Sequence, residues 1–220
     1  MSELPRPRPG RVVLAGSYAR LEPLQLAHAA QLYEAFAAPG GDARFAHLPA
    51  LPPRSLADMQ AWVEQAMSGE RIYWVVIAKT SGRVGGRQSL MNITPEHGVI
   101  EIGDILWGSA IARTAAATEA LYLAARYVFE DLGYRRLEWK CNDRNEPSKA
   151  AARRFGFTFE GVFRQHQWVK GANRDTAWFS MLDSEWPEFR REYRRWLDPA
   201  NFDAQGRQRS ALRVRPEDAR

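Results

Sequence analysis

Hydrophobic and polar positions along the chain follow two periods, and the order in which these periods occur predicts the elements. Short alternating or apolar runs predict strands at 12–14, 19–21, 71–79, 84–93, 99–107, 136–141, 158–170 and 175–182. Helical spacing predicts helices at 26–36, from Ser55 to about 67, and at 115–132, 147–155 and 187–197. This order predicts an α/β (α+β) single domain, in which helices flank a mixed, mostly antiparallel sheet.

Composition is that of a folded globular protein. The chain has 220 residues, 45% hydrophobic and 26% charged, which suits one sizeable core. No apolar run is long enough for a membrane helix, so no membrane partner is expected. The single cysteine, Cys141, forms no internal disulfide or zinc cage, which favours a cytoplasmic location and gives no metal signature.

The net charge of +5 and the pI near 9.6 suit an acidic ligand such as a nucleotide. Much of this charge lies in arginines at 190–195 and 207–220, where it is interpreted as solvated. Nucleic acid is the weaker interpretation of the charge, because no recognised nucleic-acid-binding motif is present.

A candidate anion site follows the strand Ile105-Leu106-Trp107. A polar loop, 108–114, leads into the longest predicted helix. The first N–H groups of a helix have no intrahelical acceptor, and the helix dipole favours negative charge there. Arg113 and Thr114 are placed to add donors to a pyrophosphate. The alternative is that Thr114 caps the helix and Arg113 is a surface charge.

A series of ordered motifs resembles the GNAT superfamily of N-acetyltransferases over roughly residues 12 to 185. Within it, the order is similar to the branch that contains ribosomal-protein N-terminal acetyltransferases. The motifs are Ala117-Thr118-Glu119-Ala120-Leu121, Phe129-Glu130-Asp131-Leu132-Gly133, Arg136-Leu137-Glu138 with Asn142, Asn145-Glu146-Pro147-Ser148, Arg154-Phe155-Gly156-Phe157 and Glu160-Gly161.

The resemblance implies a splayed sheet that holds acetyl-CoA as co-substrate, with its pyrophosphate on the loop before the long helix. The family motif there usually reads Gln or Arg, two residues, Gly, one residue, then Gly or Ala. This chain departs from it at Ala112 and Ala115, whereas Ala117 fits. Backbone donors survive the change from Gly to Ala, and Arg113 is expected to stand in for the missing cation. The implied cofactor-binding residues are Ile105, Leu106, Trp107, Ala112, Arg113, Thr114, Ala115, Ala117, Thr118, Asn145 and Ser148.

Transfer to an amine needs a proton acceptor, because an amine with a pKa of about 8 to 10 is mostly charged at neutral pH. Asp104 is favoured over Glu101 for this catalytic role. By alternation only one of them faces the cleft, unless a bulge at Gly103 intervenes. An ion-paired or surface carboxylate is the alternative.

The departing thiolate needs a donor, and no tyrosine follows the Gly-Phe motif. Ser148 is the candidate, with His166 a weaker one. The alternative is that Asn145 turns the chain into the helix and Ser148 is a first-turn residue, which is compatible with a catalytic role. On the acceptor side, strand residues Trp74, Arg87, Gln88 and Asn92 are expected to bind the substrate amine.

These inferences predict a flexible leader at 1–10, an acyl-CoA-dependent N-acyltransferase domain at 11–185, and a C-terminal helix with a basic tail at 186–220. The acceptor is a primary amine, either a protein N-terminus or a small molecule. A non-catalytic acyl-CoA sensor and a transferase that uses another acyl-CoA stay open as alternatives. A homodimer also stays open, with aromatic residues Trp186, Phe189 and Trp196 as its contact.

Overall fold

A computed structural model describes residues 4–38 and 40–215, and these residues form one eight-stranded sheet. The strand order is β1-β2-β3-β4-β5-β6-β8-β7, and all neighbours are antiparallel except β5 and β6. The strands are β1 (Leu14–Ala15), β2 (Ala19–Pro23), β3 (Ile72–Ala78), β4 (Arg83–Thr94), β5 (Val99–Trp107), β6 (Arg136–Asn142), β7 (Thr158–Val169) and β8 (Ala172–Leu182). The predicted fold class is confirmed.

Helices in the described residues are α1 (Ala29–Ala37), α2 (Leu56–Ser68), α3 (Ala115–Arg126), α4 (Glu146–Arg154) and α5 (Trp186–Trp196). Short 3₁₀ turns occur at Leu26–His28, Asp42–Phe45 and Pro199–Asn201. The predicted helix at 115–132 differs in its last part, because a π-helical turn at Tyr127–Asp131 follows α3. The hairpin between β7 and β8 is tighter than predicted, since Lys170 and Gly171 both have positive φ and close it.

The sheet buries apolar side chains on both faces. One cluster joins α3 and α5 to inward residues such as Trp74, Leu90 and Phe179. The other cluster joins α1 and α2 to Tyr73 and Val75 of β3. Because neighbouring residues of a strand point to opposite faces, Tyr73 and Trp74 belong to different clusters.

Glu119 of α3 ties this helix to the first hairpin. Its carboxylate accepts hydrogen bonds from the backbone N–H groups of Ser17 (2.8 Å), Tyr18 (2.5 Å) and Ala19 (2.6 Å). A Cβ at Gly16 would lie 2.2 Å from the carboxyl carbon of Glu119, so only glycine allows this approach. The tie fixes α3 against the sheet.

The N-terminal segment differs from the expected flexible leader within its described part. The N–H of Arg6 donates to the carbonyl of Pro95 at 3.0 Å, and the hydroxyl of Tyr134 donates to the carbonyl of Pro7 at 3.1 Å. The N–H of Gly10 donates to the hydroxyl of Tyr127 at 2.9 Å. Residues 4–10 therefore lie against the domain, while residues 1–3 of the predicted leader lie outside the described residues.

The C-terminal segment also packs on the domain where a basic, solvated tail was expected. Val214 is buried, and a Cβ at Gly156 would lie 2.4 Å from its Cγ1. Arg215 donates to the carbonyl of Gly156 at 2.9 Å. Residues 216–220 lie outside the described part of the chain.

The three aromatic residues expected at a dimer contact are buried within their own chain. Trp186, Phe189 and Trp196 have exposed fractions of 4%, 3% and 3%. The interpretation of these side chains as a dimer surface is therefore wrong, because they form the apolar stripe of α5 against α3 and the C-terminal segment.

We expect Glu119→Ala to lower the free energy of unfolding by about 3 kcal/mol, because it leaves three backbone N–H groups without their acceptor. Chemical denaturation measures the change. The matched control is Glu64→Ala on the exposed face of α2, which should stay within about 0.5 kcal/mol of wild type. Equal stability of the two variants would contradict this role of Glu119.

Candidate functional site

The two central strands separate soon after they pair. The parallel ladder between β5 and β6 covers only Val99–Glu101 against Arg136–Glu138. Beyond it β5 continues to Trp107 beside β4 alone, and β6 continues to Asn142 beside β8 alone. The facing edges of the two strands therefore carry backbone groups that lack a strand partner, and such groups are free to pair with a bound ligand.

Three aromatic rings pack together on the α3 side of the gap. The ring of Phe155 lies 6.1 Å from that of Trp107 on β5 and 6.2 Å from that of Trp139 on β6. The indole N–H of Trp139 donates to Ser148 Oγ at 3.0 Å. The indole N–H of Trp107 is buried and has no acceptor among the described residues. A buried donor without a protein partner can be completed by a water molecule or by a bound ligand.

The loop that follows β5 is held close to the sheet by glycines. A Cβ at Gly85 would lie 2.4 Å from Cγ2 of the buried Ile111, and one at Gly108 would lie 2.9 Å from the carbonyl oxygen of Gly85. The N–H of Gly108 also donates to that carbonyl at 2.8 Å. These contacts place the start of α3 at the end of the gap.

The N-terminus of α3 lacks a side-chain cap. Thr114 is the N-cap residue, but its hydroxyl donates to the carbonyl of Ile111 at 2.6 Å. The alternative of Thr114 as a side-chain cap is therefore wrong. The N–H groups of Ala115, Ala116 and Ala117 have no intrahelical acceptor, so they are available to an anion.

Two arginines lie near this helix end. Arg113 is exposed and has a φ of +65°, which is unusual for a non-glycine residue. Arg154 of α4 donates to Thr118 Oγ1 at 3.2 Å and lies over the rings of Phe155 and Trp196. Among the described residues no carboxylate forms an ion pair with Arg154. Sequence reasoning missed Arg154 as a candidate, since only the fold brings α4 beside α3.

Asn145 and Ser148 take the positions that the sequence indicated. The side chain of Asn145 caps α4, because its Oδ1 accepts from the N–H of Ser148 at 3.2 Å. Ser148 is a first-turn residue whose hydroxyl is held by Trp139. The structural interpretation of this pair is confirmed, and it leaves the hydroxyl beside the gap.

A bulge turns Asp104 to the α1 and α2 side of the sheet, where alternation already places Glu101. Arg87 pairs with Leu106 but Ser89 pairs with Gly103, so β5 has one extra residue there, and Asp104 has a φ of +46°. The two carboxylates act on the same cation, Arg71. Burial lowers the pKa of Arg71, but a hydrogen bond with Tyr73 and the negative charges of Asp104 and Glu101 raise it overall. The bulge that brings both carboxylates to one face is thus present, so alternation alone does not describe this strand.

Both carboxylates have cationic partners. Asp104 accepts from Arg87 Nη2 at 2.9 Å and from the hydroxyl of Tyr73 at 2.7 Å. Glu101 lies 3.0 Å from Lys140 Nζ and accepts from the side-chain amide of Asn92 at 2.6 Å. Asp104 also borders a cavity of about 720 Å³ that Tyr73 and Asn92 line, so it faces open space as well as Arg87.

Two of the four predicted acceptor residues point away from this cavity. Trp74 and Gln88 pair across β3 and β4, are fully buried, and face α3. The indole of Trp74 donates to the carbonyl of Val12, and the amide of Gln88 donates to that of Ala120. Their assignment to the acceptor pocket is therefore wrong. Neighbouring residues of a strand point to opposite faces, and these two residues face α3.

The opposite face contributes the pocket residues. Arg87 and Asn92 border cavities, as expected, and so do Tyr73 and Trp62, which sequence reasoning missed. Strict alternation around Arg87 would have indicated Tyr73 on β3, since Arg87 pairs with Val75 and that residue shares a face with Tyr73.

Three further findings concern the lone thiol, possible metal ligands and the lengths of the helices. Burial raises the pKa of the Cys141 thiol, so Cys141 is a poor nucleophile. Within residues 4–38 and 40–215, no group of three His, Cys, Asp or Glu side chains is arranged to hold a metal ion. In the same residues, no helix combines the length and apolar character needed to cross a bilayer.

A splayed mixed sheet with an uncapped helix at the end of its gap is the architecture that the family resemblance implied, and comparison with known proteins agrees. The family model described as the acetyltransferase (GNAT) domain matches residues 19–158, which is more than half of the chain. The chain belongs to the GNAT acetyltransferase family.

Individual relatives support this assignment. A crystal structure of a GCN5-related N-acetyltransferase from Brucella melitensis is 50% identical, covers 96% of each chain and has a TM-score of 0.94. An uncharacterized N-acetyltransferase, p20, from Bacillus licheniformis is 30% identical over 125 residues, 55% of this chain and 67% of its own. A Salmonella typhimurium acetyl transferase that modifies the N-terminal serine of a 50S ribosomal subunit protein is similar in fold (18% identity, 78% of this chain, 99% of that chain, TM-score 0.68).

The ionisation of Tyr73 tests its buried contact with Asp104. Burial, followed by the charge of Asp104 and its hydrogen bond, raises the pKa of Tyr73 to about 12. We expect the ultraviolet absorbance difference between wild type and Tyr73→Phe to titrate near that pH. Because the pKa of Tyr73 is raised in the folded protein, its neutral phenol adds to the free energy of unfolding below the ordinary tyrosine pKa. This contribution is lost as the pH rises through the pKa of Tyr73 in the folded protein.

The control for this titration is Asp104→Asn, which should move the pKa of Tyr73 down towards its ordinary value by removing the charge. If the absorbance difference instead changes at the ordinary tyrosine pKa in the wild type, the buried contact between Tyr73 and Asp104 is contradicted.

Proposed function

We propose that the chain transfers an acetyl group from acetyl-CoA to a primary amine, by direct attack of the amine on the thioester. The observation that carries this proposal is the gap between β5 and β6, which ends at the uncapped N-terminus of α3. The family implies acetyl-CoA as the co-substrate, and when bound it supplies the activated acetyl thioester. The transferase domain comprises residues 11–185.

The phosphate end of the ligand fits the start of α3. The N–H groups of Ala115 and Ala117 supply neutral donors, with Ala112 and Thr114 in the loop before them. The family motif places a Gln or Arg where this chain has Ala112. Arg154 supplies a cation from α4 instead, because its guanidinium lies beside Thr118 and has no ion-pair partner among the described residues. Arg113 is a second, more exposed cation.

The pantetheine arm fits along the unpaired edge of β5. Alternate backbone groups of the segment Ile105-Leu106-Trp107 face the gap beyond the last β5–β6 pair, because the others point to the edge that pairs with β4. The unsatisfied indole N–H of Trp107 is a further donor there. Asn145 closes the opposite side of the gap, because it caps the helix that follows β6.

Proton transfer is assigned to Asp104 and Ser148. Asp104 takes the proton of the incoming amine, directly or through water, because it borders the cavity at the bulge. Glu101 lies deeper and pairs with Lys140, so it adds a second negative charge on the same face of the sheet as Asp104. Ser148 supports the departing thiolate, since Trp139 keeps its hydroxyl at the edge of the gap.

The acceptor is either a protein N-terminus or a small amine. The Salmonella relative favours the first by analogy of fold alone. The cavity lined by Tyr73, Asn92 and Asp104 favours the second, because about 720 Å³ accommodates a small ligand. A non-catalytic acyl-CoA sensor is the competing function, motivated by the departures at Ala112 and Ala115.

Turnover separates the transferase from the sensor. Purified protein is incubated with acetyl-CoA and a panel of small amines and peptides with free N-termini, and thiol release is followed together with the mass of the product. Acetylated amine supports the transferase. Binding of acetyl-CoA without product on any amine would contradict it and favour the sensor.

Arg154→Ala should weaken acetyl-CoA binding by about 10- to 100-fold in isothermal calorimetry, because a charge-assisted hydrogen bond to phosphate is lost. The control is Arg153→Ala, which removes the same charge from an exposed neighbour on α4 and should change affinity by less than about threefold. Equal effects of the two variants would contradict a specific phosphate contact for Arg154.

A further inference from the structure

Arg87 is a buried cation with an unused donor. Its side chain has an exposed fraction of 2% and forms one ion pair, from Nη2 to Asp104 Oδ1 at 2.9 Å. The Nε–H group is buried and has no acceptor among the described residues. A buried donor without a protein partner costs free energy unless a bound molecule completes it.

The guanidinium is held rigidly. The ring of Trp62 lies 3.9 Å from the Arg87 Cζ, and the ring of Phe36 lies 5.7 Å from it. These two rings and the bond to Asp104 fix the orientation before any ligand arrives. Such a preorganised guanidinium is suited to bind a carboxylate, because its fork of donors matches the two carboxylate oxygens.

A cavity of about 270 Å³ reaches this guanidinium from outside. Its walls are mostly apolar and come from the 45–53 loop, Met59 and Trp62, with Arg54 and Asp58 also at its lining. Trp62 and Ala50 also line the larger cavity that contains Asp104. The two cavities therefore adjoin, with a carboxylate in one and the guanidinium in the other.

We infer that the acceptor is an amine that also carries a carboxylate, and that Arg87 binds this carboxylate while the amine lies on the Asp104 side. The inference rests on the proposed transfer to an amine and names its substrate class. The apolar walls require a short hydrocarbon linker between the two charged groups. Arg87 is thus a specificity-determining residue, and the substrate is of the amino-acid class.

The surrounding charges agree with an anionic acceptor group. The two cavities are lined by four arginines and by three acidic residues, of which Asp104 already pairs with Arg87. The set is Arg8, Arg54, Arg71, Arg87, Glu70, Asp58 and Asp104. The cationic excess lowers the energy of a bound carboxylate and, by the same field, disfavours a purely cationic amine such as a polyamine.

Matched amines test the inference. The acceptors are glycine, β-alanine, 4-aminobutyrate and 5-aminopentanoate, each compared with its carboxamide and with the alkylamine of the same length. For at least one length, kcat/KM of the wild type should be 10-fold or more higher for the carboxylate than for both analogues. Equal values at every length would overturn the inference while leaving the amine transferase intact.

Arg87→Lys tests the residue itself. Lysine keeps the positive charge for Asp104 but removes the planar fork and the Nε–H, so the preference for the carboxylate should fall to less than about threefold. The matched control is Arg83→Lys, an exposed residue of the same strand, which should keep the wild-type preference. A preference retained in Arg87→Lys would overturn the inference.

A double variant guards against loss of stability in Arg87→Lys, and a binding measurement guards against loss of turnover. Arg87→Gln combined with Asp104→Asn removes both charges of the pair, so neither charge stays buried alone, and thermal unfolding verifies the fold. Calorimetric binding of the best amino carboxylate is measured without acetyl-CoA. Binding that is equal in wild type and in both Arg87 variants would overturn the inference, whereas failure of the wild type to acetylate any amine would contradict the proposed function alone.

Discussion

The site depends on how early the parallel pair of central strands ends. β5 and β6 share a ladder of three residue pairs and then follow different neighbours. Backbone groups buried in a protein need hydrogen-bond partners, so strands that separate inside a core leave N–H and C=O groups that another molecule or segment has to pair with. In this protein a thioester ligand pairs with them, according to the proposed function, and the site is a consequence of the sheet geometry.

Side chains on both faces of the sheet keep the strands apart. Phe155 lies between Trp107 and Trp139 on the α3 side, so closure of the gap would displace a packed ring. On the other side, the bulge at Asp104 bends β5 and turns its carboxylate towards Arg87. The chain ends reinforce the arrangement, since the N-terminal segment brings Arg8 to the larger cavity and the C-terminal segment packs on α5.

Much of the fold was predictable from local patterns. The β3–β5 meander, the Ser55 cap of α2 and the start of α3 at Ala115 all follow from periodicity and capping chemistry, which act over a few residues. The gap itself was inferred only from the family resemblance. No local signal in β5 or β6 indicates where their pairing stops, because that limit is set by α4 and Phe155 packing from elsewhere in the chain.

The candidate site was predicted less well, for physical reasons that differ between residues. Trp74 and Gln88 were placed on the wrong face because an apolar strand buried on both sides shows no alternation. Arg154 was missed because its neighbour Thr118 lies on another helix, 36 positions earlier. The arginines at 207–220 were expected in solvent, and their number obscured two buried apolar residues among them, Leu212 and Val214.

Above all, we propose that the gap between β5 and β6 and the first turn of α3 hold acetyl-CoA. Amide hydrogen exchange with and without saturating acetyl-CoA tests it most directly. We expect exchange to slow within 105–107 and at 115–117, because the N–H groups in these segments that face the gap gain acceptors from the ligand. Unchanged exchange at both segments, in a protein that binds acetyl-CoA by calorimetry, would contradict the account and place the ligand elsewhere.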